Sequence, residues 1–174
     1  KNYLVTLAIK PTRPETGYGY IKKGLPIDND SFKVQEFVEK PNLTKARNYL
    51  TEGGYYWNSG MFIWKVTTLL NEIEMHLPKL YAQLDALAIN TIEAKGRYAY
   101  KILNDPGKKI FKSLEPISID YGLMEKSNNT AVLPTNISWN DVGTWTALSD
   151  VSEKDNDLNQ SDDLFELNLK QQQC

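Results

Sequence analysis

Five short stretches carry residues whose chemistry a hydrophobic core does not need. In "FVEKP" (Phe37 to Pro41), the carboxylate of Glu39 stands beside the ammonium of Lys40 at the end of an apolar run. A carboxylate accepts hydrogen bonds from sugar hydroxyls, and an ammonium neutralises a phosphate as a compact charge. Neighbours on a regular strand face opposite sides, so these two can address one ligand only where the strand stops. Pro41 is expected to stop it and to hold Lys40 extended. A surface ion pair would use the same two residues.

In "YYWNSGMFIW" (Tyr55 to Trp64), Asn58 and Gly60 interrupt a run that otherwise reads as a strand buried on both faces. Alternation puts Asn58 and Gly60 on one face, leaving a gap beside an amide where a polar ligand could sit. A structural Asn with satisfied partners beside a sheet glycine is the competing reading, since an unpaired buried amide costs roughly 1–3 kcal/mol. "TGYGY" (Thr16 to Tyr20) is a tight loop whose glycines, Gly17 and Gly19, let the backbone approach a ligand. "SIDYGLMEK" puts Asp120 and Glu125 in one short helix, and "WNDVGTW" puts Asp141 in a turn before another. Asp141 is able to cap that helix or to bind a hard cation such as Mg²⁺.

Other chemistries lack their residues. His76 is the sole histidine and Cys174 the sole cysteine, so a His-dependent triad, a Cys-based zinc site and a disulfide framework within one chain are excluded. A two-carboxylate glycosidase built on Asp120 and Asp141 would leave Lys40, Asn58 and the glycine loop idle. The formal net charge of −2, with no basic cluster, argues against a nucleic-acid face. No apolar run reaches the ~18 residues that a membrane span needs, and no signal peptide opens the sequence. A cytoplasmic setting is the expectation.

The elements that must position these residues alternate between strand and helix. Strands are expected at Tyr3 to Ile9, Phe32 to Glu39, Tyr55 to Trp64 and Ala131 to Pro134. "NLTKARNYLTEGG" reads as a helix with Asn42 as N-cap and Gly53 just past its end. Further helices are expected at Val66 to His76, Pro78 to Ile92 and Ser118 to Lys126, and from the "WNDVGTW" turn through Leu148. Residues 10–20 read as loop and Gly96 to Gly107 as irregular. The pattern predicts an α/β fold with helices on the faces of a mixed sheet. From Asp150 to Glu166, seven acidic residues face one Lys, which predicts a solvated linker or tail over 152–174 after a domain spanning 1–151.

Taken in order, "RPETGYGYI", "FVEKP", "YYWNSGMFIW", "SIDYGLMEK" and "WNDVGTW" resemble the bacterial type of mannose-1-phosphate guanylyltransferase, over roughly Tyr3 to Val151. That type also occurs fused to a phosphomannose isomerase domain. The resemblance implies a Rossmann-like nucleotidyltransferase fold and a reaction joining mannose 1-phosphate to GTP. It implies that Gly19, Glu39 and Asn58 hold the sugar beside Gly60, and that Lys40 contacts the sugar phosphate. Asp120 matches a family motif acid, and Asp141 would be a ligand of the catalytic Mg²⁺. A homodimer is compatible with it.

Family members also begin with a strand and a Gly-rich, basic phosphate loop, and these 174 residues contain neither. The chain is therefore expected to be the C-terminal, sugar-binding part of the domain, inactive alone. Its partner would be the missing N-terminal half, and one sheet edge would be left uncovered. A pyrophosphorylase for another hexose or base, and a non-catalytic sugar-phosphate sensor, are the alternatives.

Overall fold

The computed structural model describes residues 2–95, 99–143 and 147. Its elements run β1 (Leu4–Ile9), β2 (Tyr20–Pro26), β3 (Phe32–Val38), α1 (Leu43–Glu52), β4 (Tyr55–Ile63), α2 (Val66–His76) and α3 (Pro78–Ile89). They continue with β5 (Thr91–Lys95), β6 (Ala99–Leu103), α4 (Asp105–Ser113), a single π-helical turn (Asp120–Met124) and β7 (Thr130–Thr135). The chain forms two compact units, Lys1–Asn136 and Ile137–Cys174. The expected tail, 152–174, and most of the helix after "WNDVGTW" lie outside the described residues.

The main sheet is mixed and closes on itself in the order β1-β4-β2-β3-β7, with β7 returning to β1. Only the β1–β7 pairing is parallel, from Leu4 opposite Thr130 to Ile9 opposite Thr135. The expected open edge is occupied in this unit, because β3 pairs with β7 through Phe32–Val132 and Lys33–Ala131. Leu4, Ala8, Ile21, Phe37 and Val132 of the sheet form one buried cluster with Leu123 and Met124 of the π-turn. Leu69, Ile73 and Leu77 pack on that cluster from α2 and its end. Those contacts anchor the π-turn, and with it Asp120, against the sheet.

Local signals explain most elements. The Asn42 side chain accepts the Lys45 N–H at 2.9 Å, and Gly53, at φ +73°, ends α1. Pro78 opens α3, where its missing N–H costs nothing. The sequence reading misses β2, the β5–β6 pair and α4. β2 lies in "YIKKGLP", where two lysines, a glycine and a proline conceal a strand. The Lys22 ammonium lies over the Tyr55 ring (5.1 Å) and pairs with Glu52, and the Lys23 ammonium lies over Phe32 (4.2 Å), so aromatic faces and a carboxylate accommodate their charges. The stretch expected to be irregular instead carries β6 and α4, and β6 pairs with β5, which ends what was expected to be a longer α3.

β4 departs from simple alternation. Thr6 pairs with Phe62 and Ala8 with Asn58, so two steps along β1 match four along β4. Gly60 takes up the bulge at φ +72°, a conformation that costs other residues strain. As a result Tyr55, Trp57 and Asn58 are buried whereas Met61 and Ile63 are exposed, and the strand is not covered on both faces along its length.

Candidate functional site

Lys40 sits where the chain reverses. β3 ends at Val38, and Lys40 adopts φ +47°, not the extended conformation expected before Pro41. This left-handed geometry folds Lys40 back on its neighbour, and its Nζ lies 3.0 Å from Glu39 Oε1. The reversal is what lets adjacent residues share one site. Glu39 is held from a distance as well: its backbone N–H donates to Glu125 Oε1 at 2.9 Å, across 86 residues of sequence.

Asn58 is buried in β4 and bonded through its backbone and both ends of its amide. Its N–H donates to the Gly19 carbonyl at 2.8 Å, tying the "TGYGY" loop to the strand. Its Oδ1 accepts the Thr6 hydroxyl at 2.9 Å and the Gly60 N–H at 3.3 Å, while Nδ2 donates to Asp120 Oδ1 at 3.2 Å. Gly19 completes the cluster by having no side chain. A Cβ there would stand 2.5 Å from Glu39 Oε2 and 3.2 Å from Asn58 Cβ. Gly17 is not crowded in this way, since a Cβ would meet only Glu15 Oε1, at 3.5 Å. Gly17 instead serves the loop, where Glu15 accepts the Thr16 and Gly17 N–H groups at 2.9 and 3.1 Å.

Gly19, Glu39, Lys40, Asn58 and Asp120 thus come together from four separate segments, with Gly60 bonded to Asn58 through its backbone. Their charges interact. Burial pushes the Glu39 carboxyl above the usual carboxylate range; the hydrogen bond from Lys40 opposes this, and the nearby Asp120 and Glu125 add to the rise. Lys40 is raised in turn, chiefly by that hydrogen bond and the charge of Glu39. The cluster offers one cation, several hydrogen-bond acceptors and an amide donor, a set suited to a polyol bearing an anion.

Asp141 belongs to the second unit. Its Oδ1 accepts the Gly143 N–H at 3.2 Å, Asn140 Oδ1 accepts the Val142 N–H at 2.9 Å, and Val142 lies at φ +49°. Among the described residues no group of three or more His, Cys, Asp or Glu side chains could hold a metal. No helix of the described residues is long and apolar enough to cross a membrane. A cavity of about 700 Å³ between the α2–α3 corner and the segment after α4 is lined by His76, Leu77, Lys79, Gln83, Glu115 and Lys126 among others, and by none of the candidate residues. His76 pairs there with the buried Glu72 of its own helix at 3.3 Å.

Two residues of the cluster carry no obvious sequence signal. Thr6 is the one polar residue in "LVTLAI", and a threonine is unremarkable in a strand. Glu125 is visible as an acid, but its bond to Glu39 joins segments that only the fold brings together.

The mixed α/β fold agrees with the similarities of the chain. Residues 1–158 match the nucleotidyl transferase family, and the chain belongs to it. It is 42% identical over 156 residues to the mannose-1-phosphate guanylyltransferase RfbM of Salmonella typhimurium, covering 90% of this chain and 31% of that protein. It is equally 42% identical over 168 residues to the xanthan biosynthesis protein XanB of Xanthomonas campestris pv. campestris, covering 96% of this chain and 34% of that one. The chain therefore spans about a third of the length of these relatives. A crystal structure of a mannose-1-phosphate geranyltransferase from Thermus thermophilus superposes with a TM-score of 0.73 at 35% identity, over 89% of this chain and 42% of that one. A mannose-6-phosphate isomerase from Helicobacter pylori gives 0.69 at 31% identity, over 80% and 52%.

Proposed function

We propose that this chain carries the sugar-phosphate part of the site of a mannose-1-phosphate guanylyltransferase, which makes GDP-mannose and pyrophosphate from mannose 1-phosphate and GTP. The observation that carries this reading is the convergence of Glu39, Asn58 and Asp120 around Gly19, with Lys40 turned toward them. Glu39 and Asn58 hold sugar hydroxyls, Gly19 gives the ring room, and Lys40 neutralises the phosphate. The relatives' names supply the hexose and the nucleotide; GTP is held mainly by protein outside these residues.

In this reaction a sugar phosphate oxygen attacks the α-phosphorus of GTP, and the bond to the β-phosphate oxygen breaks to release pyrophosphate. No covalent enzyme intermediate is required. The chain's residues contribute by holding the attacking anion in line and lowering its repulsion from the triphosphate. Mg²⁺ suits the Asp141 carboxylate, because it takes one or two protein carboxylates together with substrate phosphates and water. The glycine at position 143 also leaves that carboxylate room, since a Cβ there would lie 3.0 Å from Oδ2. When bound, the ion would neutralise phosphate charge.

Calorimetry on this chain with mannose 1-phosphate, mannose and GTP–Mg²⁺ tests the reading. Mannose 1-phosphate should bind more tightly than mannose, and Lys40→Ala should weaken the phosphorylated sugar by roughly tenfold while sparing mannose. Equal affinity for both sugars in the parent and in Lys40→Ala would remove the assignment. Release of pyrophosphate by this chain alone would show that it also holds the nucleotide.

A further inference from the structure

A carboxamide presents an acceptor on one side and two donors on the other, so the role of Asn58 depends on how its amide is turned. Two donors meet at Oδ1: the Thr6 hydroxyl at 2.9 Å and the Gly60 N–H at 3.3 Å. Opposite them, Nδ2 donates to Asp120 Oδ1 at 3.2 Å and lies 3.7 Å from where a Gly19 Cβ would be. Turning the amide over would set its NH₂ group against the Gly60 donor and its oxygen against the Asp120 carboxylate. The bond from Gly60 comes from the same strand and is the longer of the two. The bond from Thr6 comes from β1, 52 residues away, and both of its partners are buried.

From this arrangement we infer that Thr6 is a positioning residue: its hydroxyl, acting with the Gly60 N–H and the Asp120 carboxylate that set the sense of the amide, holds Asn58 with Nδ2 toward Asp120 and the Gly19 side of the site. Asn58 then acts only as a donor there, next to the carboxylates of Asp120 and Glu39, which act as acceptors when ionised. One ligand group satisfies both at once: a hydroxyl, whose oxygen accepts from Nδ2 while its proton goes to a carboxylate. An ether or a deoxy position satisfies one or neither. The inference deepens the reading of the cluster as a sugar-phosphate site and rests on it for the identity of the ligand, but the lock itself can be observed without ligand.

The test uses the 174-residue chain as parent, Thr6→Val, which keeps the shape and loses the hydroxyl, and Thr6→Ser, which keeps the hydroxyl. Two readouts are taken: the ¹⁵N–¹H signals of the Asn58 side-chain amide, and calorimetric binding of mannose 1-phosphate. Thr6→Val should move the Asn58 amide signals and raise the dissociation constant about tenfold, with Tm near that of the parent. Thr6→Ser should return both readouts toward the parent. Unmoved amide signals and unchanged affinity in Thr6→Val would overturn the inference, as would equal loss in both variants, which would mark a packing effect. If Thr6→Val does not fold, Thr6→Ala is compared with Thr6→Ser in the same way. If the parent binds no mannose 1-phosphate, the reading of the ligand fails, while the amide signals still decide whether Thr6 sets the amide.

Discussion

Replacing Gly19 by alanine adds a single methyl group at the tightest point of the cluster. Gly19 does not adopt a left-handed φ, so backbone strain plays no part and the cost is steric. The new Cβ would lie 2.5 Å from Glu39 Oε2 and 3.2 Å from Asn58 Cβ. Ordinary contacts begin near 3.5 Å, so the carboxylate must retreat by about 1 Å and the Asn58 side chain by a few tenths. The carboxylate is the free end of a flexible side chain and can move; Asn58 is held by Thr6, Gly60 and Asp120 and yields less. The stability loss should therefore fall toward the lower end of overpacking, about 1–2 kcal/mol. Ligand binding should suffer more, because the displaced group is the one proposed to meet the sugar, and a ~1 Å misplacement can cost on the order of 10²-fold. Thermal unfolding gives the first quantity and calorimetry with mannose 1-phosphate the second. Parental affinity in a folded Gly19→Ala chain would refute the claim that Gly19 keeps space for Glu39 and the ligand.

Two further outcomes follow from the charges. The folded pKa of Glu39 is raised, mainly by burial, so between the ordinary carboxylate value of 4.5 and the raised value the folded state binds more protons than the unfolded state. Stability should then fall as pH rises through that window, and Glu39→Gln should remove this component from a series of denaturant titrations; an identical pH profile in the variant would count against it. At Glu125, alanine removes the acceptor of the Glu39 N–H whereas glutamine keeps one. Exchange of the Glu39 amide with solvent should accelerate roughly tenfold or more in Glu125→Ala and much less in Glu125→Gln, and equal protection in all three chains would show that Glu125 does not brace the corner.

The sequence by itself determined the features that local physics controls. The caps of α1 could be read directly because an N-cap Asn and a glycine past the end satisfy orphaned backbone groups within a few residues. β1, β3, β4 and β7 showed as apolar runs, and the motif residues of the cluster stood out as polar groups in apolar surroundings. β2 was hidden because its lysines lie over aromatic rings supplied by other strands, and no local pattern announces those partners. The β5–β6 hairpin likewise depends on pairing between two runs, neither of which reads as a strand alone. Only the tertiary structure decided how the polar groups meet. Gly60 serves a bulge whose register is set by β1, and Lys40 takes a left-handed φ that Pro41 does not predict. Asn58 is bonded by a threonine 52 residues away, and Glu39 is held by an acid 86 residues away. Residue type and short spacing are properties of the chain, whereas register, bulges and hydrogen bonds between distant segments exist only once the sheet has closed.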